Sequence, residues 1–189
     1  MSEISDEELI ARCAAGERGA MDELVDRYHA KLLDFALRQV HNRETAADIA
    51  QLTLVRVCER AASFEARSSF KTWMYAIAVN YVRDSFRKRS ARRESLFSEL
   101  EDLTDAAASS EEPSPEDLAV EAAQGSVMWR AVDRLPERQR MAVLLRFREQ
   151  LSYNEIAEVM GAPAGTARSW VYHALKALRR SIGLPDCEG

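Results

Sequence analysis

Polar and cationic side chains recur at helical spacing near the C-terminal end of the sequence. On a helix predicted from about residue 164 to 182, they share one side at about 100° per residue. The set is Ser169, Tyr172, His173, Lys176 and Arg180, with Arg168 and Arg179 at its flank. Hydroxyl and imidazole groups can hydrogen-bond to base edges, while ammonium and guanidinium groups bind phosphates. This face is suited to the major groove of DNA, although a solvated basic face would have the same composition.

The residues before this helix favour DNA binding. Ser152 and Glu155 have capping-box spacing at the start of a short helix, and Gly161 can end it. A short helix, a glycine turn and a longer basic helix form the arrangement of a helix-turn-helix. The opposite side of the longer helix is predicted to be buried, and it consists of Val171, Ala174, Leu175, Leu178 and Ile182.

A second basic segment lies on a helix that is predicted to begin at about Phe70 and to end in the high 80s or 90s. Asn80, Arg83 and Arg87 share one face, and Lys88 follows directly. The amide can hydrogen-bond to base edges, and the cations around it can bind the phosphate backbone, so this face suits nucleic-acid binding. A helix dipole also favours cations near its C-terminus, so a solvated helix end remains an alternative. Trp73 lies on the apolar stripe of this helix and is predicted to be a core residue.

The third predicted helix, residues 45–62, carries apolar side chains on both sides. Leu52 and Val55 lie among the polar side chains of Asp48 and Gln51. Such a helix is either buried all round or binds a partner with its second side. Its buried side is predicted to hold Ala50, Leu54, Val57, Cys58 and Ala61.

The formal net charge of −5 averages over segments of opposite sign. Residues 63–95 hold 8 basic and 3 acidic side chains, and residues 126–189 hold 10 and 7. Residues 96–125 hold 9 acidic side chains and no basic one, and residues 1–62 hold 8 basic and 12 acidic. The acidic middle segment is poor in large apolar residues, so we expect a linker between two basic domains.

The composition predicts an all-α fold, because 7 Gly and 5 Pro leave little turn chemistry for many strands. We expect a four-helix bundle in residues 1–96, a flexible acidic linker in 97–125, a helix-turn-helix domain in 126–183 and a tail in 184–189. The first helix is expected to begin with a capping box of Ser5 and Glu8.

The sequence predicts a protein that is not an enzyme. No paired carboxylates, nucleophile–base set or glycine-rich phosphate loop converges, and the 3 Cys and 3 His are scattered. We therefore expect no catalytic residue, no metal and no cofactor. The polar N-terminus and the lack of a long apolar stretch predict a cytoplasmic protein without membrane insertion.

The segment 135–182 resembles region 4 of the extracytoplasmic-function (group IV, sigma-70 family) sigma factors. The matching features are Leu135-Pro136, the string YNEIA from Tyr153, Gly161, Gly165-Thr166 and Leu178-Arg179. Trp170 and His173 stand where this family commonly has Arg, so the preferred DNA sequence is expected to differ. The resemblance implies contacts to the promoter −35 element from Thr166, Arg168, Ser169, Tyr172, His173 and Lys176.

The order FxxxxxFxTWxxxIAxNxxxDxxR, which begins at Phe64, resembles sigma region 2. The resemblance implies that the loop 62–69 and the helix near Asn80 capture a base flipped from the −10 element. The −10 contacts that it implies come from Phe64, Asn80, Arg83, Arg87 and Lys88. The string ADIAQ from Ala47 resembles the segment that docks on the polymerase clamp helices. It implies polymerase contacts from Asp48, Gln51, Leu52 and Val55.

The resemblance implies a sigma factor that directs promoter-specific initiation by reading −35 and −10 elements. Its implied partners are core RNA polymerase, through the β′ and β subunits, promoter DNA, and an anti-sigma factor. A helix-turn-helix regulator that is not a polymerase subunit remains the alternative, because the C-terminal motif alone fits both.

Overall fold

The computed structural model describes the backbone of residues 4–100 and 127–181, and the side chains of 4–92 and 127–181. Every regular element in these residues is helical, which confirms the all-α prediction. Residues 101–125, Ile182 and the tail 184–189 lie outside the described residues. The helices are α1 (Asp6–Ala14), α2 (Arg18–Val40), α3 (Arg43–Glu59), a 3-10 turn (Ala61–Ser63), α4 (Phe70–Leu100), α5 (Val127–Asp133), α6 (Glu137–Phe147), α7 (Tyr153–Met160) and α8 (Ala164–Ser181).

The start of α1 carries only half of the predicted capping box. The Ser5 hydroxyl accepts from the Glu8 amide at 3.2 Å, as expected. The Glu8 carboxylate does not return to the Ser5 amide, since it accepts from the Arg12 guanidinium at 2.5 Å. A charged partner one turn along the same face competes successfully with a neutral backbone amide.

Helices α1–α4 pack around aromatic side chains. The Phe35 and Tyr75 rings meet edge to face with centroids 5.3 Å apart, and Tyr28 meets Phe70 at 5.6 Å. All four residues are buried. Such edge contacts stabilise the bundle beyond the simple burial of apolar area, and they fix α4 against α2.

Helix α3 buries one side only. Ala50, Leu54 and Val57 are buried as predicted, and Ala61 is buried just beyond the helix. The prediction for Cys58 is wrong, since its side chain is exposed. Cys58 follows Val57 and is therefore turned by about 100° away from the core.

Helices α5–α8 form the second group, and their local signals are confirmed. At α7, the Ser152 hydroxyl accepts from the Glu155 amide, and the Glu155 carboxylate accepts from the Ser152 amide at 2.8 Å. Gly161 ends α7 in the left-handed region at φ 60°. On α8, the predicted stripe packs inward, with Leu175 half-buried and the rest of its described members buried.

The two groups of helices are in contact. Helix α4 packs against α7, and α2 lies against α6. The surface between α1–α4 and α5–α8 is called the interdomain contact below.

Candidate nucleic-acid and partner-binding surfaces

The four residues implied in polymerase binding lie on the outer face of α3. Asp48 and Gln51 are exposed, and Leu52 and Val55 each keep 46% of their surface exposed. The alternative of an α3 buried on all sides is therefore wrong. Aliphatic side chains this exposed, next to polar ones and opposite a packed core, are typical of a partner-binding surface.

An apolar groove between α2 and α3 borders this face. Gln51 and Val55 belong both to the outer face of α3 and to the wall of the groove. The outer face of α3 therefore continues into a concave apolar region, a shape that can accommodate an apolar helix. The groove is lined by Met21, Val25, His29, Ala47, Gln51, Leu54, Val55 and Cys58.

The implied −10 residues of α4 have different surroundings. Asn80 and Lys88 are exposed to solvent. Arg87 is exposed and pairs with a carboxylate one turn earlier on the helix. Arg83 is half-buried, and its guanidinium donates to the Met160 main-chain carbonyl of α7 at 2.6 Å. The structure therefore leaves most of this face open, while Arg83 is engaged by the other group of helices.

Phe64 lies in an aromatic cluster at the start of α4. Its ring centroid is 5.3 Å from that of Trp73 and 6.2 Å from that of Phe70. Phe70 is fully buried, whereas Phe64 and Trp73 are half-buried at the edge of the core. The cluster anchors the loop before α4, so Phe64 holds this loop in place. A direct contact between Phe64 and a base stays a prediction.

The outer face of α8 presents the implied −35 residues. Ser169, Tyr172 and His173 are exposed, with 60% of the Tyr172 surface accessible. The rings of Tyr172 and His173 meet edge to face at 5.4 Å. Thr166, in the first turn, and Lys176 are half-buried. A helix with this face free and its opposite side packed can enter a major groove.

Comparison with known proteins identifies the family. The family model described as "Sigma-70 region 2" matches residues 24–92, and the one described as "Sigma-70, region 4" matches residues 127–178. The RNA polymerase sigma-H factor of Pseudomonas aeruginosa is 32% identical over 186 residues, 96% of each chain. The chain belongs to the sigma-70 family. The ECF RNA polymerase sigma-E factor of Escherichia coli K12, also 32% identical over 96% of this chain and 97% of its own, groups it with the extracytoplasmic-function sigma factors.

Solved structures share the fold of this sigma factor. A structure of CnrH in complex with the cytosolic domain of CnrY matches with a TM-score of 0.67 at 21% identity, over 94% of this chain and 97% of that one. The sigma factor RpoE from Bartonella quintana, in complex with the anti-sigma factor NepR, matches with a TM-score of 0.62 at 20% identity, over 87% and 98%.

As a member of this family, the chain is an alternative sigma factor, a regulatory subunit that directs RNA polymerase to promoters. The two family regions match in the order predicted, region 2 before region 4. A match to sigma region 2 is not expected of a helix-turn-helix regulator that acts outside the polymerase, so the sigma factor is favoured over that alternative.

Two residues beside the outer face of α8 contact the body of the sigma factor. The Arg168 guanidinium lies 5.4 Å from the centre of the Tyr153 ring. Trp170 is half-buried, and the Arg138 guanidinium lies 5.9 Å from its ring. A cation over an aromatic ring adds a modest attraction. At Trp170 the departure from the family's usual Arg therefore contributes to packing within region 4.

Sequence reasoning missed the interdomain contact. Among the described residues, six polar or charged side chains are buried, and all but Thr53 lie at this contact. Their partners across the contact are 78 or more residues away, as in Lys71–Glu149, so no local pattern signals them. The five are Arg38, Gln39, Thr72, Arg140 and Glu149.

The Glu155 carboxylate links α7 to the start of α4. Besides capping its own helix, it accepts from the Thr72 hydroxyl at 3.0 Å, and the Ser69 hydroxyl lies 3.2 Å from the same oxygen. The hydrogen bond from the Ser152 amide is the main cause that lowers the pKa of Glu155, and partial burial opposes it. Glu155 is therefore ionised at neutral pH and presents a negative charge to region 2.

A second ionic contact lies close by. The Lys71 ammonium donates to the Glu149 main-chain carbonyl at 2.5 Å and lies 3.5 Å from the Glu149 carboxylate. That carboxylate is almost fully buried, at 7% exposure. The Glu149 charge also acts on the buried Tyr75 hydroxyl: burial raises the pKa of Tyr75, and the negative charge of Glu149 raises this pKa further. Lys71 therefore supplies the positive charge that a buried carboxylate requires.

In residues 4–92 and 127–181, no three His, Cys, Asp or Glu side chains are grouped so as to hold a metal ion. Of the helices in the described part of the chain, none combines the length and the apolar character that a membrane crossing needs.

Proposed function

We propose that three helices of this sigma factor each bind a different partner. The outer face of α3 binds core polymerase, α4 holds the opened −10 element, and α8 reads the −35 element. One observation carries the proposal: Asp48, Asn80 and His173 are each exposed on a helix whose opposite side is packed. Each face can therefore bind its own partner without disrupting the core.

At the −10 element, the chemistry is the capture of a single-stranded base. Flipping a base costs a few kcal/mol of stacking, which a pocket and cations on the backbone must offset. The loop 62–69 and the amide of Asn80 are the groups proposed to receive the base. Arg83, Arg87 and Lys88 then hold the phosphates on either side.

At the −35 element, α8 lies in the major groove. Ser169, Tyr172 and His173 supply groups for base edges, and Thr166, Arg168 and Lys176 contact phosphates. An imidazole cannot grip guanine with two parallel hydrogen bonds as a guanidinium does. His173 is therefore the residue expected to set this factor apart from relatives with Arg.

The remaining parts of the proposal concern partners and organisation. An anti-sigma factor is proposed as a partner, by analogy with the structure of the Bartonella quintana factor bound to NepR. We assign no catalysis to the chain and place it in the cytoplasm. The proposed domains are residues 1–96 and 126–183, joined by the acidic segment 97–125 and followed by a tail, 184–189.

Run-off transcription tests the proposed function. The purified chain is added to core polymerase on a library of promoter sequences, and the transcripts are sequenced. We expect enrichment of one −35 and one −10 motif at fixed spacing, and co-elution with core polymerase in gel filtration. A stable dimer that ignores core polymerase and yields no specific transcript would contradict the proposal.

A further inference from the structure

The start of α4 is fixed by a carboxylate from α1. The Phe70 amide, the first of the helix, donates to Oε1 of Glu7 at 3.0 Å. The Ser69 hydroxyl caps the same end from the preceding residue, since it accepts from the Thr72 amide at 3.2 Å. The first amides of a helix have no partners within the helix. Glu7 and Ser69 therefore determine where α4 begins.

Phe70 connects this hydrogen bond to the loop 62–69. The residue is fully buried, and its ring centroid lies 5.6 Å from that of Tyr28 and 6.2 Å from that of Phe64. Helix α1 also contacts the 3-10 turn Ala61–Ser63, where the loop begins. One helix therefore contacts the chain at both ends of the loop.

The position of Glu7 is set by its neighbours on α1. Asp6, one residue earlier, accepts from the Tyr28 hydroxyl and from the Arg27 guanidinium of α2. Leu9 and Ile10, on the next turn, are buried. Because α1 is held both by its apolar side and by Asp6, the backbone of Glu7 is in a fixed position beside the start of α4.

From this arrangement we infer that Glu7 is a positioning residue for −10 recognition: it holds the start of α4, and with it the loop 62–69, in the geometry that receives the flipped base. The inference rests on the proposed function of this loop and of Asn80, and it adds a residue that is not among the proposed DNA contacts. A binding loop that is already ordered loses less conformational entropy when its ligand binds. A loosened loop should therefore distinguish the correct base from the wrong ones less well.

Three substitutions of Glu7 separate the hydrogen bond from the charge. Glu7→Gln removes the charge and keeps an oxygen at the same distance along the side chain, so it can still accept from the Phe70 amide. Glu7→Asp keeps the charge but is one methylene shorter, which withdraws the oxygen from that amide. Glu7→Ala removes both. Glu7 is exposed, so we expect all three variants to keep the core of region 2 intact.

Base discrimination on premelted DNA tests the inference. Holoenzyme made from the full chain and core polymerase is titrated with promoter duplexes whose −10 region is already unpaired, with each of the four bases in turn at each −10 position. The ratio of the Kd values for the least and the most favoured base measures discrimination without the free energy of melting. We expect Glu7→Ala and Glu7→Asp to lower the largest ratio about fivefold, and Glu7→Gln to keep it within about twofold.

The matched control is Glu8→Ala, at the next residue of α1, whose carboxylate accepts from Arg12 on the same helix. It should keep the original ratio, and thermal melts should show that every variant is folded at the assay temperature. A lower melting temperature with an unchanged ratio in Glu7→Ala and Glu7→Asp would make Glu7 merely structural and overturn the inference, as would an equal loss in Glu8→Ala. An unmodified chain without base preference at the −10 element would instead contradict the proposed function, so the two failures are distinguishable.

Discussion

The Arg140 guanidinium of α6 donates to the main-chain carbonyl of Gln39, in the last turn of α2, at 3.0 Å. It also donates to the Asp133 main-chain carbonyl at 2.7 Å. Burial lowers the pKa of Arg140, although a guanidinium stays protonated at neutral pH. The last carbonyls of a helix lack partners within the helix, so one buried cation here satisfies a terminal carbonyl of α2 and joins that helix to region 4.

Arg140→Leu should therefore destabilise the protein. The substitution leaves the Gln39 and Asp133 carbonyls without their donor, and a buried polar group without a partner costs about 1–3 kcal/mol. We expect a loss of about 2 kcal/mol in the free energy of unfolding in urea. Arg134→Leu, at an exposed position, is the control and should change it by less than about 0.5 kcal/mol. Equal effects of the two variants would contradict the role of Arg140.

Asp48→Arg should weaken binding to core polymerase without changing promoter preference. The residue is exposed on the outer face of α3, so a reversed charge alters the docking surface and leaves the core intact. We expect the Kd, measured by fluorescence anisotropy, to rise by at least about fivefold. Asp22→Arg makes the same change at an exposed position of α2 and should keep the original Kd. Loss of binding in both variants would point to net charge as the cause.

Lys176→Ala should weaken promoter binding by the holoenzyme uniformly across −35 sequences. Its ammonium is proposed to neutralise one phosphate, so the slope of log K against log salt should fall by about 0.9. Titrations at four salt concentrations on two promoters measure it. Lys31→Ala, on α2, should leave the slope unchanged. A change of sequence preference in Lys176→Ala would contradict a phosphate contact.

His173→Arg should change the base preference at one −35 position. A guanidinium can hold guanine with two parallel hydrogen bonds, and such a pair discriminates by about 1–3 kcal/mol. The enriched −35 motif from the promoter library should therefore gain a G at one position. Met128→Arg adds the same cation at an exposed position of α5 and should keep the original motif. An unchanged motif in His173→Arg would remove His173 from the base-reading set.

Glu155 should make stability depend on pH in the acid range. Its pKa in the folded protein is below the ordinary 4.5, mainly because of the Ser152 amide. A carboxylate with a lowered pKa contributes stability that is fully present above its unfolded pKa and is lost as pH falls through the folded value. We therefore expect the melting-temperature difference between the unmodified chain and Glu155→Gln to be constant from pH 7 to about pH 5 and to shrink below about pH 4.5. A difference that instead grows as the pH falls would contradict the lowered pKa.

The parts of the fold that could be predicted are those coded within one or two helical turns. Ser152 and Glu155 are three residues apart, and the apolar stripe of α8 repeats every three or four, so both are visible in the sequence. The same local reasoning failed where two local signals compete. The Glu8 carboxylate can accept a hydrogen bond from either the Ser5 amide or the Arg12 guanidinium. The spacing allows both hydrogen bonds and does not indicate which is lower in free energy.

The interdomain contact could not be predicted for a different reason. Lys71 and Arg83 donate to the main-chain oxygens of Glu149 and Met160. Every residue has a main-chain oxygen, so the residue types in a sequence do not indicate which of these oxygens accepts a hydrogen bond. Arg83 could be predicted as a cation on a nucleic-acid face, yet its surroundings depend on how two distant helices meet. Cys58 shows the same limit of local reasoning. It lies at the edge of the apolar side of α3, and whether such a side chain is buried depends on where the neighbouring helices end the core; Cys58 is exposed.

Helix α4 runs without interruption for 31 residues from Phe70 to Leu100. At about 1.5 Å per residue it is a rod of about 46 Å, and Leu100 lies about 30 Å along the axis from Asn80. The position of Leu100 around the helix axis, from which the chain continues, is therefore set by the number of residues in α4. Insertion of one alanine after Ser90 would turn that departure point by about 100° around the axis while moving it by only about 1.5 Å. The length of α4 thus sets the angle at which the chain leaves region 2.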